Sequence, residues 1–120
     1  MARLNYIVVI ISIALTCILA EELYSDRYDG VDYIAVFSNP KMRQQYYKCF
    51  MDFAPCKTAD AKFFKGIIGE AFLTECKKCT EKQKQLLDFM VDWYTTNKPT
   101  ELQDLITKTI EDLKQKNARQ

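Results

Sequence analysis

Apolar residues recur along most of the chain at intervals of three or four, which is the spacing of one face of an α-helix. Four stretches show it clearly, at 42–53, 61–72, 86–94 and 102–113, and a shorter one covers 31–37. No segment keeps up the two-residue alternation of a half-buried strand. The pattern predicts an all-α fold with four substantial helices, a short N-terminal helix, and a last helix that is either continuous or split.

Start and stop residues mark the ends of these helices. Asn39 suits the N-cap of the second helix and Pro40 its first position, and Pro55 predicts its end. Thr80 begins the fourth helix with a capping box, since a glutamine follows three residues later. Pro99 separates the fourth helix from the last one.

The third helix is apolar over a wide arc, which is typical of a helix in the middle of a small domain. It also contains Gly66 and Gly69, each of which costs about 1 kcal/mol relative to alanine inside a helix. We therefore expect these two glycines to allow the close approach of a neighbouring helix.

Residues 1–20 have a different character. Arg3 is followed by an apolar run at 6–19 and then by the small residue Ala20. This layout is that of a secretory signal peptide, and the run is shorter than the roughly 20 apolar residues that span a bilayer. We expect cleavage after Ala20, with an uncleaved membrane anchor as the alternative. Residues 21–120 would then form one helical domain, whose polar tail should fray after about residue 114.

Charge and residue content exclude several functions. The full chain has 17 Lys+Arg and 16 Asp+Glu, and loss of the signal peptide, whose one charged residue is Arg3, leaves a net charge of zero. This balance does not favour nucleic acid or an anionic membrane as a partner. The chain has no histidine, which excludes Ser-His-Asp and Cys-His catalysis and histidine metal ligands. We expect neither enzymatic activity nor a cofactor.

Four cysteines remain after the signal peptide is removed. An even number in a small exported domain predicts a disulfide framework, and three pairings are possible. We prefer the sequence-local pairing, Cys49–Cys56 with Cys76–Cys79. A zinc site is disfavoured because six residues separate the first two cysteines, which is wide for a zinc knuckle. A redox centre at Cys76 and Cys79 lacks the strand–helix setting of thioredoxin-like folds.

The chain is rich in aromatic residues. It has 7 Tyr, 7 Phe and 1 Trp, and of these only Tyr6 lies in the signal peptide. So many large rings in a small bundle indicate either a solid core or an apolar cavity between the helices. The sequence leaves both interpretations open.

Several motifs carry a family resemblance. The cysteines follow the spacing Cys-x6-Cys-x19-Cys-x2-Cys, and the third of them opens the run CKKCTEKQK. Tyr46 stands three residues before the first cysteine, and Pro55 directly precedes the second. Over roughly residues 28–106, this combination resembles the insect chemosensory proteins, also called the OS-D or pheromone-binding A10 family.

The resemblance implies a compact bundle of about six short helices with the two local disulfides. It also implies an internal apolar tunnel that carries fatty acids, long-chain alcohols, esters or similar lipophilic semiochemicals. We therefore expect a secreted, monomeric carrier of small hydrophobic ligands, with a membrane receptor as a further candidate partner. The alternative is a secreted signalling or developmental protein that acts through its surface and requires no ligand.

Eight residues are candidates for lining the tunnel. The resemblance nominates two hydroxyl-bearing residues, Tyr28 and Tyr46. The helical stripes nominate six apolar ones, which are Ile34, Phe50, Phe64, Ile67, Met90 and Trp93. No metal-binding residue and no catalytic residue is expected.

Overall fold

A computed structural model describes residues 22–119 of the chain. Within them the chain forms five helices and no strand, which confirms the expected all-α fold. The helices are α1 (Tyr33–Ser38), α2 (Pro40–Phe50), α3 (Ala59–Thr74), α4 (Glu81–Asn97) and α5 (Pro99–Ala118). None of these described helices combines the length and the hydrophobicity needed to cross a membrane. The signal peptide predicted for residues 1–20 lies outside the described residues.

The described part of the chain has five helices where the family resemblance implied about six. The segment after Pro99 is one continuous helix of 20 residues. Residues 100–120 contain neither glycine nor proline, so no residue in them breaks the helical hydrogen bonding. The side chains of residues 114–119 are exposed, and the fraying expected for this tail stays a prediction.

The helix starts follow the capping residues. Asn39 accepts hydrogen bonds through its side chain from the backbone N–H groups of Lys41 and Met42, at 3.0 and 3.2 Å, and Pro40 occupies the first turn of α2. At the start of α4, Thr80 and Gln83 form the predicted capping box, in which each side chain accepts from the other residue's backbone N–H. These caps satisfy donors that helix geometry leaves free.

Helix α2 ends at Phe50, five residues before the stop predicted at Pro55. The backbone N–H groups of Phe53 and Ala54 both donate to the carbonyl of Lys48, at 2.9 and 3.2 Å, and so turn the chain back. Phe53 consequently leaves the apolar face on which its spacing had placed it, and it is 69% exposed.

The disulfides explain these turns. Cys49 is bonded to Cys56, with Cα atoms 4.9 Å apart, and Cys76 to Cys79, with Cα atoms 5.0 Å apart. Both predicted pairings are therefore confirmed. A continuous helix from Cys49 would carry residue 56 about 10 Å along its axis, so the first bridge requires the early end of α2. The second bridge follows a left-handed turn at Glu75 and Cys76, whose φ angles are 55° and 62°.

An ion-pair network holds the loop after α2 against two other helices. Asp52 has a φ of 61° and directs its carboxylate to Lys65 of α3 and to Lys108 of α5. Lys108 also pairs with Asp112 one turn further along α5, at 2.7 Å. The network lies at the surface, where ion pairs contribute modestly to stability.

Helices α3 and α5 come closest at Gly69. A Cβ added at this position would lie 2.3 Å from the carbonyl oxygen of Thr109, a residue that is itself buried. A Cβ added at Gly66 would meet nothing within 4 Å. The close approach expected of both glycines is thus confirmed for Gly69, and the expectation was wrong for Gly66.

The pair of glycines offers a matched test of this contact. We expect Gly69→Ala to lower the free energy of unfolding by about 2 kcal/mol, because the added methyl group forces α3 and α5 apart. Gly66→Ala should raise it by about 0.5 kcal/mol or more, since alanine is the better helix former and the site is open. Urea unfolding of the two variants measures both values. Equal effects would contradict the close contact.

Candidate functional site

An apolar cavity lies between α1, α2, α3 and α4, beside the Cys76–Cys79 bridge. Its volume is about 40 Å³. That is room for a few water molecules and far less than the roughly 300–1,000 Å³ of typical ligand pockets. The wall is made of Phe37, Phe50, Phe64, Ile67, Ile68, Ala71, Cys76, Cys79, Gln83, Leu86, Leu87 and Met90.

Gln83 contributes the one polar side chain of this wall, and its amide is already hydrogen-bonded. Its Oε1 accepts from the backbone N–H of Thr80, and its Nε2 donates to the carbonyl of Ser25, both at 2.9 Å. The wall therefore presents hydrocarbon and sulfur to the cavity. Such a surface suits the apolar part of a molecule and offers no anchor to a charged group.

A groove at the surface adjoins the cavity. It has a volume of about 320 Å³ and runs between the segment 28–34 and the first turns of α4. The groove and the cavity share three wall residues, which are Phe64, Gln83 and Leu86. We call it the entrance groove, because displacement of these shared side chains would join it to the cavity.

Three polar side chains from α1, α2 and α3 meet behind the aromatic wall. The hydroxyls of Tyr46 and Tyr33 both donate to Oδ2 of Asp60, at 2.6 and 2.8 Å. The ring of Tyr33 lies 4.9 Å from that of Phe64, and the ring of Tyr46 lies 4.9 Å from that of Phe37. We call Tyr33, Tyr46 and Asp60 the Asp60 triad, which borders the cavity without lining it.

The protonation states of the triad follow from its contacts. Burial would raise the pKa of Asp60, but hydrogen bonds from Thr58, Tyr46, Tyr33 and the backbone of Ala61 outweigh it and lower that pKa. Burial, followed by the hydrogen bond to Asp60, raises the pKa of both phenols. At neutral pH the triad therefore holds one ionised carboxylate and two neutral phenols.

The predicted lining residues fall into two groups. Phe50, Phe64, Ile67 and Met90 lie together in the cavity wall. The other four lie outside it. Tyr28 packs its ring on Phe63 and lines the entrance groove, as does Ile34, which is 41% exposed, while Tyr46 belongs to the triad.

Trp93, the last of these, lies seven residues, or about two helical turns, beyond Leu86 along α4. Its indole lies under the guanidinium of Arg43, which is 3.5 Å from the ring centroid, and packs edge-on against Tyr94. Arg43 also donates to the carbonyl of Phe37, at 3.0 Å. This cation–π contact connects α2 and α4, and Trp93 itself does not line the cavity.

Sequence reasoning missed other wall residues. Leu86 and Leu87 belong to the apolar stripe of α4, so their spacing carried a usable signal. Phe37 is four residues from Tyr33, and these two form the buried face of α1 in place of Ile34. The capping box marked Gln83 as the partner of Thr80, but no pattern placed its polar side chain in the cavity wall.

Comparison with known proteins adds to this geometry. Residues 24–117 match the model of the insect pheromone-binding family A10/OS-D. The chain belongs to this family. It is 30% identical over 105 residues to ejaculatory bulb-specific protein 3 of Drosophila melanogaster, a match that covers 88% of the chain and 82% of that protein. No solved structure matches it at a significant level.

Two further relatives extend the range of names in the family. The chain is 35% identical over 101 residues to allergen Tha p 1 of Thaumetopoea pityocampa, covering 80% of the chain and 79% of the allergen. It is 34% identical over 87 residues to protein A10 of Drosophila melanogaster, whose name assigns it odorant binding provisionally. That match covers 72% of the chain and 56% of A10. The family description is one of binding, and none of these relatives is named as an enzyme.

The triad makes a prediction about stability. We expect Asp60→Asn to lower the free energy of unfolding at neutral pH by about 1 kcal/mol, because hydrogen bonds to a neutral amide are weaker than those to a carboxylate. The folded-state pKa of Asp60 is lowered, so its contribution is present above the unfolded pKa of about 4 and is lost as pH falls through the folded pKa.

The difference between wild type and Asp60→Asn in urea unfolding should therefore shrink as the pH is lowered from neutral to about 3. Asp88→Asn is the control, because Asp88 is exposed on α4. A difference that stays constant over this pH range would show that the charge of Asp60 does not support the fold.

Proposed function

We propose that this protein is a secreted carrier that binds small lipophilic molecules in the apolar cavity between its helices. The observation that carries the proposal is a cavity whose wall offers hydrocarbon, sulfur and one amide that is already hydrogen-bonded. Burying an alkyl chain there yields about 0.8 kcal/mol per CH₂ group. The family description, with pheromone binding in its name, supports the same function.

Binding in this cavity requires that it widens. An alkyl chain needs several times the present 40 Å³. Met90 and the two leucines of α4 are flexible side chains that can take other rotamers, and methionine adapts its shape most readily. We infer that a ligand enters from the entrance groove, displaces Leu86 and selects a wider state of the cavity.

The small size of the cavity also supports a second candidate function. A core this nearly filled is compatible with a secreted protein that acts through its surface and needs no ligand. Phe53 and Leu73, which are 69% and 57% exposed, are apolar side chains on that surface. The two candidates differ in whether a folded sample takes up an apolar molecule.

A titration with an apolar naphthylamine fluorophore tests the carrier function. We expect saturable one-site binding that a long-chain alcohol reverses at micromolar concentration. Ala71→Leu should lower the affinity for the fluorophore at least tenfold, because Ala71 lines the cavity and a larger side chain fills it. Circular dichroism verifies that the variant is folded.

Ala118→Leu makes the same substitution at an exposed position of α5 and should leave affinity unchanged. No binding by folded wild-type protein would favour the surface-acting candidate. Binding that Ala71→Leu does not weaken would place the fluorophore outside the cavity.

Secretion is tested separately. We expect the full chain, expressed in insect cells, to appear in the medium with Glu21 as its first residue, because the segment before it has the layout of a cleaved signal peptide. N-terminal sequencing of the exported protein measures this. Retention of the intact chain in the membrane fraction would instead indicate an uncleaved anchor.

A further inference from the structure

Negative charge borders the cavity on two sides. We propose that the cavity admits neutral amphiphiles, such as long-chain alcohols and esters, and discriminates against carboxylates of the same length. This inference rests on the proposed carrier function and narrows the class of ligand.

The first negative charge is the carboxylate of Asp60. The donors that reach it are neutral, since they are two phenols, the hydroxyl of Thr58 and the backbone N–H of Ala61. These contacts stabilise the charge without cancelling it. The ring of Tyr33 separates the carboxylate from Phe64 in the cavity wall, with ring centroids 4.9 Å apart.

The second source of negative charge is the entrance groove. Its charged residues are Asp29, Asp32 and Lys82, so its formal charge is negative. Asp32 also accepts a hydrogen bond from the backbone N–H of Ala35 as the N-cap of α1, which fixes its carboxylate at this edge. A carboxylate ligand that entered by the groove would meet like charge at the mouth and again behind the wall.

The cavity wall offers such a ligand no compensation. The polar side chain of this wall, Gln83, is neutral, and its Nε2 already donates one hydrogen bond to the carbonyl of Ser25, so the wall holds no cation that could pair with an anion. An unpaired carboxylate is far more costly to remove from water than a hydroxyl or an ester carbonyl. The apolar wall and the two negative charges therefore both lower the affinity for a carboxylate relative to a neutral ligand.

Binding of a carboxylate beside two lysines elsewhere on the surface would contradict this inference. Lys48 and Lys57 line a separate groove at the Cys49–Cys56 bridge, and Tyr46 lines that groove as well. A carboxylate head group placed there would face these two lysines, although Tyr46 and Thr58 of that groove also contact Asp60.

The test compares decanol, methyl decanoate and decanoate as competitors of the naphthylamine fluorophore at neutral pH. Two negative charges about 10 Å apart, at an effective dielectric constant of about 20, repel strongly enough to weaken binding about tenfold. We therefore expect the alcohol and the ester to displace the fluorophore at concentrations at least tenfold lower than decanoate does.

Two variants separate the effect of protein charge from the general cost of desolvating a carboxylate. Asp60→Asn should raise the affinity for decanoate about tenfold and change the affinity for decanol less than twofold. The control Asp88→Asn should change neither affinity. The double variant Asp29→Asn/Asp32→Asn should raise the affinity for decanoate several-fold. It keeps the cap of α1, because asparagine is an equally good N-cap. Circular dichroism verifies the fold of each variant.

The outcomes distinguish the two proposals. If no competitor displaces the fluorophore from folded wild-type protein, the carrier function fails and this inference fails with it. If decanol and decanoate bind equally, or if neither variant changes their ratio, the carrier function stands and this inference is overturned. Loss of decanoate binding in Lys48→Ala or Lys57→Ala would overturn it too, because the head group would then lie at the Cys49–Cys56 groove.

Discussion

The carboxylate of Asp60 accepts hydrogen bonds from hydroxyl groups on two helices other than its own. The two hydroxyls belong to buried tyrosines, and a polar group removed from water is costly unless it is paired, so this contact helps to hold α1 and α2 against α3. It orients the rings of Tyr33 and Tyr46, and these in turn position Phe64 and Phe37 in the cavity wall. Hydrogen bonds to one side chain at its border thus connect the rings that surround the apolar interior.

The interior is nearly closed in this structure. A void that holds a few water molecules loses little packing energy, whereas an empty cavity the size of an alkyl chain would be costly to maintain. A carrier can resolve this conflict by keeping its cavity contracted until a ligand occupies it. The ligand's gain on leaving water must then exceed the cost of opening, and the open state stays a minor one without it.

The two disulfides constrain different parts of this design. Each closes a short loop and should contribute about 2 kcal/mol on the loop-entropy view. The Cys49–Cys56 bridge ends α2 and turns the chain toward α3. The Cys76–Cys79 bridge forms part of the cavity wall at the corner between α3 and α4. That corner is covalently restrained, so a widening of the cavity on ligand binding would fall to the side chains of α4.

Local features of the chain were predictable from the sequence alone. The helix starts at Asn39 and Thr80 follow from side chains that reach their own backbone, and the disulfides join cysteines close in sequence. The resemblance in cysteine spacing led to the correct family, although its count of six helices exceeded the five described. Four of the eight predicted lining residues lie in the cavity wall, because helical spacing identifies an apolar stripe.

Spacing does not say which part of a broad stripe faces inward, since neighbouring residues on a helix point about 100° apart. Spacing also does not say how far along a helix the cavity extends, and Trp93 shares the face of Leu86 but lies about two turns beyond it, against Arg43. Phe37 lines the cavity, whereas Ile34 of the same helix is exposed, because of how α1 packs on its neighbours. The different surroundings of Gly66 and Gly69 also depend on where α5 crosses α3. The sequence by itself determined the family, through its motifs. It also determined the helices and the disulfides, which rest on chemistry between residues close in the chain. The tertiary structure decided the wall of the cavity and the charge beside it, which depend on contacts between residues far apart in the chain.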